Sequence, residues 1–120
     1  MSKILIADDE SAVRDVMTQM LKGMGHDVVA VANGRLALEA MTRQSFDAVI
    51  TDLDMPVMDG LTLIRRIRES DQSLSILVIS GKSGANQNMR SQSVGANAWL
   101  EKPFTYQSLH TQMRKLLTPE

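Results

Sequence analysis

Short apolar runs alternate along the chain with stretches in which apolar residues recur every three or four positions. We interpret the short runs as five β-strands, and three of them (ILIA, AVI and ILVI) are almost continuously apolar. Such runs are typical of strands that are covered on both faces, as in a parallel sheet. The predicted strands are Lys3–Ala7, Asp27–Ala32, Asp47–Thr51, Leu74–Ile79 and Ala98–Leu100.

The stretches between the strands have the period of amphipathic helices. The first apolar stripe, from Val13 to Met24, keeps the 3.6-residue spacing throughout. The residues predicted to begin or end the helices are Gly25 after the first, Asn33 as the cap of the second, Gly60 near the start of the third, Thr105 as the cap of the last, and Pro119 beyond its end.

The fourth crossover, Lys82 to Asn97, is rich in serine, asparagine and glutamine and has few apolar residues. It therefore predicts a short, weakly packed helix that moves more readily than the others. Five strands alternating with helices predict an α/β fold, a parallel sheet with helices on both faces.

Composition narrows the possible classes of protein. The chain has 120 residues, of which 43% are hydrophobic, and a net charge of −1, as expected for one soluble domain. The near-neutral charge argues against direct nucleic-acid binding. The absence of cysteine excludes disulfides and thiolate chemistry, and it fits a cytoplasmic location. No apolar run is long enough for a signal peptide or a membrane span.

Polar side chains follow the strands at the edge where ligands bind in open parallel sheets. Carboxylate oxygens suit Mg²⁺, and an aspartate can also act as a nucleophile that forms an acyl phosphate. A lysine and a hydroxyl would then neutralise and hydrogen-bond the phosphoryl oxygens. The candidate residues are Asp8, Asp9, Asp52, Ser80 and Lys102.

These residues make the chain similar to the receiver domains of two-component signalling, in particular the chemotaxis-type single-domain response regulators. The matching segments are Asp8–Asp9, Asp52 with the turn Met55–Gly60, Ser80–Gly81 and Lys102–Pro103. Because their order and spacing fit across a chain of five strands, the resemblance covers essentially the whole chain, 1–120, as one domain. It implies the strand order 2-1-3-4-5.

The resemblance also implies the chemistry. Asp52 would accept a phosphoryl group from the phosphohistidine of a sensor kinase or phosphotransfer protein. Mg²⁺ would be held by Asp8, Asp9, Asp52 and the backbone carbonyl of Asp54, with Ser80 and Lys102 on the phosphate. Apart from acting on itself, such a domain is not an enzyme.

The face built by the fourth helix, the fifth strand and the last helix would transmit the signal by binding a downstream effector protein. Ser80 and Trp99 would be the switch residues, and we interpret Trp99 as a partly buried packing residue that doubles as a switch. The Lys102–Pro103 peptide is expected to be cis. The chain is expected to be a monomer or weak dimer, without membrane contact.

Three positions depart from the usual receiver pattern. Gly81 stands where alanine is commoner, which gives that loop additional backbone freedom. Asp54 lies two residues after Asp52, and Lys82 lies two residues after Ser80. Both would flank the path of an attacking water and so affect the lifetime of the acyl phosphate.

Two alternatives stay open. A haloacid-dehalogenase-like phosphatase would use Asp52 and Asp54 in its Asp-x-Asp motif, but Pro56 stands where that family has threonine or valine. A pseudo-receiver would share the fold and act only as an interaction module. His26 and His110 have no ligand set near them in the sequence, so neither is predicted to bind a metal.

Overall fold

A computed structural model of the chain describes residues 2–81 and 92–117. The strands are β1 (Lys3–Ala7), β2 (Asp27–Val31), β3 (Ala48–Asp52), β4 (Ser75–Ser80) and β5 (Ala98–Glu101). The helices within these ranges are α1 (Ser11–Gly23), α2 (Gly34–Arg43), α3 (Gly60–Ser70) and α4 (Tyr106–Leu117). The short helix predicted in the crossover 82–97 falls mostly on residues 82–91, which lie outside the described residues.

The five strands form one sheet in the order β2-β1-β3-β4-β5, and every neighbouring pair is parallel. The predicted fold class and strand order are therefore confirmed. The order reverses direction between β1 and β3, so the loops that follow these two strands diverge and leave a crevice at their carboxyl ends.

Successive side chains of each strand point to opposite faces of the sheet, so the core consists of two layers, one on each face. One layer contains Leu5, Val49, Ile76 and Val78 with side chains of α2 and α3. The other contains Ile4, Ile6, Ile50, Leu77 and Ile79 with side chains of α1 and α4. Burial on both faces holds the strand ends, and the loops after them, in fixed positions.

Local hydrogen bonds start the helices where the sequence predicts. Asn33 Oδ1 accepts from Leu36 N at 2.9 Å, and Thr105 Oγ1 accepts from Ser108 N at 3.0 Å. Asp59 Oδ1 likewise accepts from Thr62 N at 2.8 Å. These side chains satisfy amide groups that the first turn of a helix leaves unpaired.

Three strands extend further into polar sequence than the apolar runs predict. Asp52 pairs with Ile79 in the β3–β4 ladder, and Ser80 pairs with Glu101 in the β4–β5 ladder. The apolar runs mark only the buried part of each strand, whereas the hydrogen-bonded ladder continues into the polar residues at its end. Several candidate site residues therefore belong to the sheet itself, which holds them more rigidly than loops would.

The Trp99 side chain is 38% exposed, which agrees with the interpretation of a partly buried residue, and its role as a switch stays a prediction. Trp99 lies on β5, an edge strand, where Ala98 and Leu100 on either side pack toward the α1 and α4 layer. The strand alternation turns Trp99 to the opposite face. The indole is thus on the surface of the sheet edge.

Side-chain hydrogen bonds to the backbone fix the beginning of β5. The Arg68 guanidinium on α3 donates to the Gly95 carbonyl at 2.7 and 3.0 Å, and to Asn97 Oδ1 at 3.0 Å. Asn97 Oδ1 also accepts from Ile76 N at 2.7 Å. These contacts set the position of β5, and Lys102 follows that strand directly.

None of the described helices combines the length and apolar character that crossing a membrane requires.

Candidate functional site

The carboxyl ends of β1, β3 and β5 bring two acids and a lysine together. Lys102 Nζ lies 3.0 Å from Asp8 Oδ2 and 3.1 Å from Asp52 Oδ2. The side chain of Asp8 is fully buried, and that of Asp52 is 6% exposed. Ion pairs of such low exposure are little screened by solvent, so the lysine strongly constrains both carboxylates.

Two further acids complete the cluster. Carboxylate oxygens of Asp8, Asp9, Glu10 and Asp52 all lie within 4.8 Å of one another, and Lys102 Nζ contacts Glu10 Oε1 at 3.0 Å. Four carboxylates with one described lysine leave an excess of negative charge. Asp8 Oδ2 is buried and, although it forms the ion pair, accepts no hydrogen bond of good geometry among the described residues. This donor set fits a hard divalent cation such as Mg²⁺.

Burial and the ion pairs shift the pKa values of the central residues in defined directions. Burial raises the pKa of the Asp52 carboxyl, and the hydrogen bond from Lys102 opposes this shift. Burial alone would lower the pKa of Lys102, but its close contacts with the carboxylates of Asp8, Glu10 and Asp52 outweigh this effect and raise that pKa. Lys102 therefore stays protonated at neutral pH. Its positive charge offsets only part of the effect of burial on the Asp52 carboxyl.

The loop after β3 folds back tightly on the strand that carries Asp52. Gly60 N donates to the Leu53 carbonyl at 2.9 Å, and Asp54 N donates to Asp52 Oδ1 at 3.2 Å. A Cβ on Gly60 would collide with the Asp52 carbonyl oxygen and lie 2.8 Å from Leu53 Cα. Glycine is thus required here by close backbone approach, which the prediction of a turn and helix start did not include.

Val57 stores strain in the same loop. Its φ is 72°, in the left-handed region that β-branched residues rarely adopt, and its side chain is 73% exposed. Because the side chain is exposed, it makes few packing contacts that could offset the strain of this conformation. The residues around this loop, rather than the intrinsic backbone preference of Val57, therefore maintain its conformation beside Asp52.

Replacing Val57 with glycine is expected to raise the free energy of unfolding by about 1 kcal/mol, because relief of the strain exceeds the entropic cost of glycine. Urea denaturation would measure the change. Val57→Ala is the matched control, since it removes the same exposed side chain but keeps a Cβ at positive φ. Equal stability of the two variants would contradict this explanation.

The remaining predicted site residues have different positions. Ser80 is buried at the end of β4, and Lys102 N donates to its carbonyl at 2.8 Å. The Lys102–Pro103 peptide is cis, as expected. Asp54 is exposed, and the role of its carbonyl as a ligand stays a prediction. Lys82 lies outside the described residues.

Sequence reasoning missed Glu10, which is one of the three carboxylates that contact Lys102. Its side chain is 61% exposed, yet Glu10 Oε1 lies as close to Lys102 Nζ as the buried Asp8 does. The available signal was the run of three consecutive acids after β1. The loop that presents Asp8 is itself fixed, because Glu10 N donates to Asp8 Oδ1 and Arg14 Nη1 donates to the Asp8 carbonyl.

Comparison with known proteins gives a consistent result. A family model described as the response regulator receiver domain matches residues 4–114. The response regulator MprA of Mycolicibacterium vanbaalenii is 35% identical over 115 residues, which are 96% of this chain and 50% of that protein. The sensor protein EvgS of Escherichia coli K12 is 38% identical over 94% of this chain and 9% of its own length. The chain thus spans half or less of these relatives.

Solved structures agree with the sequence relatives. The chemotaxis response regulator CheY4 of Vibrio cholerae has a TM-score of 0.91 and 31% identity, with 98% of this chain and 99% of that chain covered. The receiver domain of the sensor histidine kinase PA1611 of Pseudomonas aeruginosa, solved with magnesium in its active-site cleft, has a TM-score of 0.89 and 27% identity over 97% of each chain. The chain belongs to the response regulator receiver domain family of two-component systems.

Proposed function

We propose that residues 1–120 act as one phosphorylation-dependent signalling switch, in which Asp52 is the phosphoacceptor. The observation that carries this proposal is the ion pair of 3.1 Å between the buried Asp52 carboxylate and Lys102, inside a cluster of acids that fits a divalent cation. A nucleophile, a fixed cation and a cation-binding cluster at one strand edge are what phosphoryl transfer to a carboxylate needs.

The transfer forms one bond and breaks another. A carboxylate oxygen of Asp52 attacks the phosphorus of a phosphohistidine on a partner kinase or phosphotransfer protein. The phosphorus–nitrogen bond breaks, and the imidazole nitrogen keeps its electron pair and takes up a proton. The products are an acyl phosphate on Asp52 and a neutral histidine on the partner, so nothing is consumed besides this proton, which solvent supplies.

The surrounding residues lower the barrier by fixing charge where it develops. Lys102 supports the transfer because its cationic Nζ already lies at the carboxylate that receives the phosphoryl group. The Ser80 hydroxyl, at the end of the neighbouring strand, would hydrogen-bond a phosphoryl oxygen. Asp8, Asp9, Asp52 and the Asp54 carbonyl would hold Mg²⁺. When bound, Mg²⁺ neutralises the phosphoryl oxygens and orients them for transfer.

The phosphodonor is proposed to be a protein, because an apolar groove adjoins the acid cluster. The groove has a volume of about 400 Å³ and lies between the first turns of α1 and the segment after Lys102. Val16 on its wall is 48% exposed. Exposed apolar surface beside a reaction centre favours docking of a second protein. We propose a cytoplasmic location and a monomer or weak dimer.

The output is proposed to pass to an effector protein through the face formed by the fourth crossover, β5 and the last helix, α4. Exposure of Trp99 on the edge strand supports this choice, since aromatic residues are enriched in protein interfaces. Ser80 and Trp99 would be the residues that change position on phosphorylation. Apart from its own phosphorylation and dephosphorylation, the domain would carry out no reaction.

The phosphatase and pseudo-receiver alternatives are not equally supported. The phosphatase alternative has no support, since the family that matches is that of receiver domains. A pseudo-receiver would keep the same fold but would not be phosphorylated. The acid cluster and Lys102 favour the phosphorylated switch over this alternative.

The decisive experiment is incubation with acetyl phosphate and Mg²⁺, followed by intact-mass measurement. We expect one added phosphoryl group on the wild type and none on Asp52→Asn. Asp54→Asn is the matched control, because it removes a nearby exposed carboxylate and should still be phosphorylated. An unmodified wild type would favour the pseudo-receiver, and continuous release of phosphate from small phosphoesters would favour the phosphatase.

Mg²⁺ is expected to stabilise the fold, because the acids of the cluster repel one another without it. At 100 times its dissociation constant, Mg²⁺ should raise the free energy of unfolding by about 2.7 kcal/mol. Asp9→Asn should raise the metal-free stability by about 0.5 kcal/mol and weaken the effect of Mg²⁺. Thermal and urea denaturation with and without Mg²⁺ would measure both changes.

The matched control for this prediction is Asp15→Asn, which makes the same charge change on α1 outside the acid cluster. It should leave the effect of Mg²⁺ unchanged. If Mg²⁺ at millimolar concentration stabilised neither the wild type nor Asp15→Asn, the proposed metal site would be wrong.

A further inference from the structure

A second group of potential ligands lies at the opposite end of the sheet. His26 precedes β2, and His110 lies in α4, yet both line one cavity of about 230 Å³ together with Met24 and Met113. The sequence-based prediction that neither histidine binds a metal considered only their neighbours along the chain. The fold instead brings these two histidines and two methionines, which come from separate segments of the chain, to the lining of one cavity.

One ligand atom in this group is without a partner. His26 Nδ1 is buried, and it has no hydrogen-bond partner among residues 2–81 and 92–117. Leaving a buried polar atom unsatisfied costs free energy, so a ligand that bonds to Nδ1 would be favoured.

The other lining residues determine which ion suits the cavity. Thioether sulfurs are soft ligands that select ions such as Cu⁺, whereas Mg²⁺ and Ca²⁺ require oxygen donors. Arg114 and Leu117 complete the lining of the cavity. No carboxylate or thiolate lines the cavity, so its lining offers no negative charge to compensate the second charge of a dication.

We propose that His26, His110, Met24 and Met113 form a binding site for a soft monovalent metal ion, Cu⁺ in the cell and Ag⁺ as its redox-inert equivalent. This site is separate from the acid cluster, which follows the carboxyl ends of the strands. It does not depend on whether Asp52 is phosphorylated. Binding would link α1 and the start of β2 to α4 across one layer of the core.

The test is titration of the full chain with Cu⁺ under anaerobic reducing conditions, in competition with a chromophoric Cu⁺ chelator. We expect one ion per chain, and a loss of affinity of about tenfold or more in His26→Gln and in His110→Gln. These are the only two histidines in the chain, so the loss can be assigned to them. Zn²⁺ should bind at least about tenfold more weakly than Cu⁺.

Methionine variants separate ligation from packing. Met113 is buried, so Met113→Leu keeps its volume but removes the sulfur, and it should weaken Cu⁺ binding while the fold stays intact. Met58→Leu, in the loop before α3, is the matched control and should bind as the wild type does. Ag⁺ should raise the melting temperature of the wild type and of Met58→Leu but not of the histidine variants. Absence of one-to-one binding, affinity unchanged in the histidine variants, or Zn²⁺ bound as tightly as Cu⁺ would overturn the proposal.

Discussion

Lys102→Met is expected to lower the free energy of unfolding by about 3 kcal/mol in the absence of Mg²⁺. The substitution leaves the buried carboxylates of Asp8 and Asp52 next to each other without the cation that lies 3.0 and 3.1 Å from them. Removing one partner of a buried ion pair costs more than the pair itself contributes, because the remaining charge is uncompensated. Urea denaturation of the wild type and the variant would measure the loss.

The same variant should respond more strongly to Mg²⁺ than the wild type does, since a divalent ion can replace the lost countercharge. Its phosphorylation by acetyl phosphate should be much slower even when Mg²⁺ has restored the fold. Lys22→Met, on the exposed surface of α1, is the matched control and should change stability by less than about 0.5 kcal/mol. Equal losses in the two variants would show that the cluster does not depend on Lys102.

Gly60→Ala is expected to destabilise the fold by about 3 kcal/mol, at the upper end of the range for overpacking. The added Cβ would collide with the Asp52 carbonyl and lie 2.8 Å from Leu53 Cα, and backbone atoms cannot rotate away as a side chain can. Helix α3 would have to move off β3, which would loosen the packing of its buried residues Leu63, Ile64 and Ile67. Phosphorylation at Asp52 should therefore decline together with stability.

The chain supplies a matched control in Gly23→Ala. Gly23 is the last residue of α1, and a Cβ there would meet nothing within 4 Å. Alanine at this position should be neutral or stabilising by up to about 1 kcal/mol, because it restricts the unfolded chain. The sign of the effect should thus be opposite for the two glycines. If Gly60→Ala were as stable as Gly23→Ala, the close approach of α3 to β3 would not constrain the site.

Features of local origin could be predicted from the sequence. The caps at Asn33 and Thr105 depend on side chains that bond to amides three residues ahead, so a short segment contains all the information. The ends of β3 and β4 were placed one residue early because hydrophobicity ceases where the site begins, although the ladder continues.

The sequence by itself determined the order of strands and helices, because the period of apolar residues follows directly from backbone geometry. With the family resemblance, it also identified Asp8, Asp9, Asp52, Ser80 and Lys102 as candidates. Only the tertiary structure decided that Glu10 joins the contacts of Lys102, that Gly60 must lack a side chain, and that His26 and His110 share a cavity. These features depend on distances between segments far apart in the chain, which packing of the two core layers fixes and no local pattern encodes.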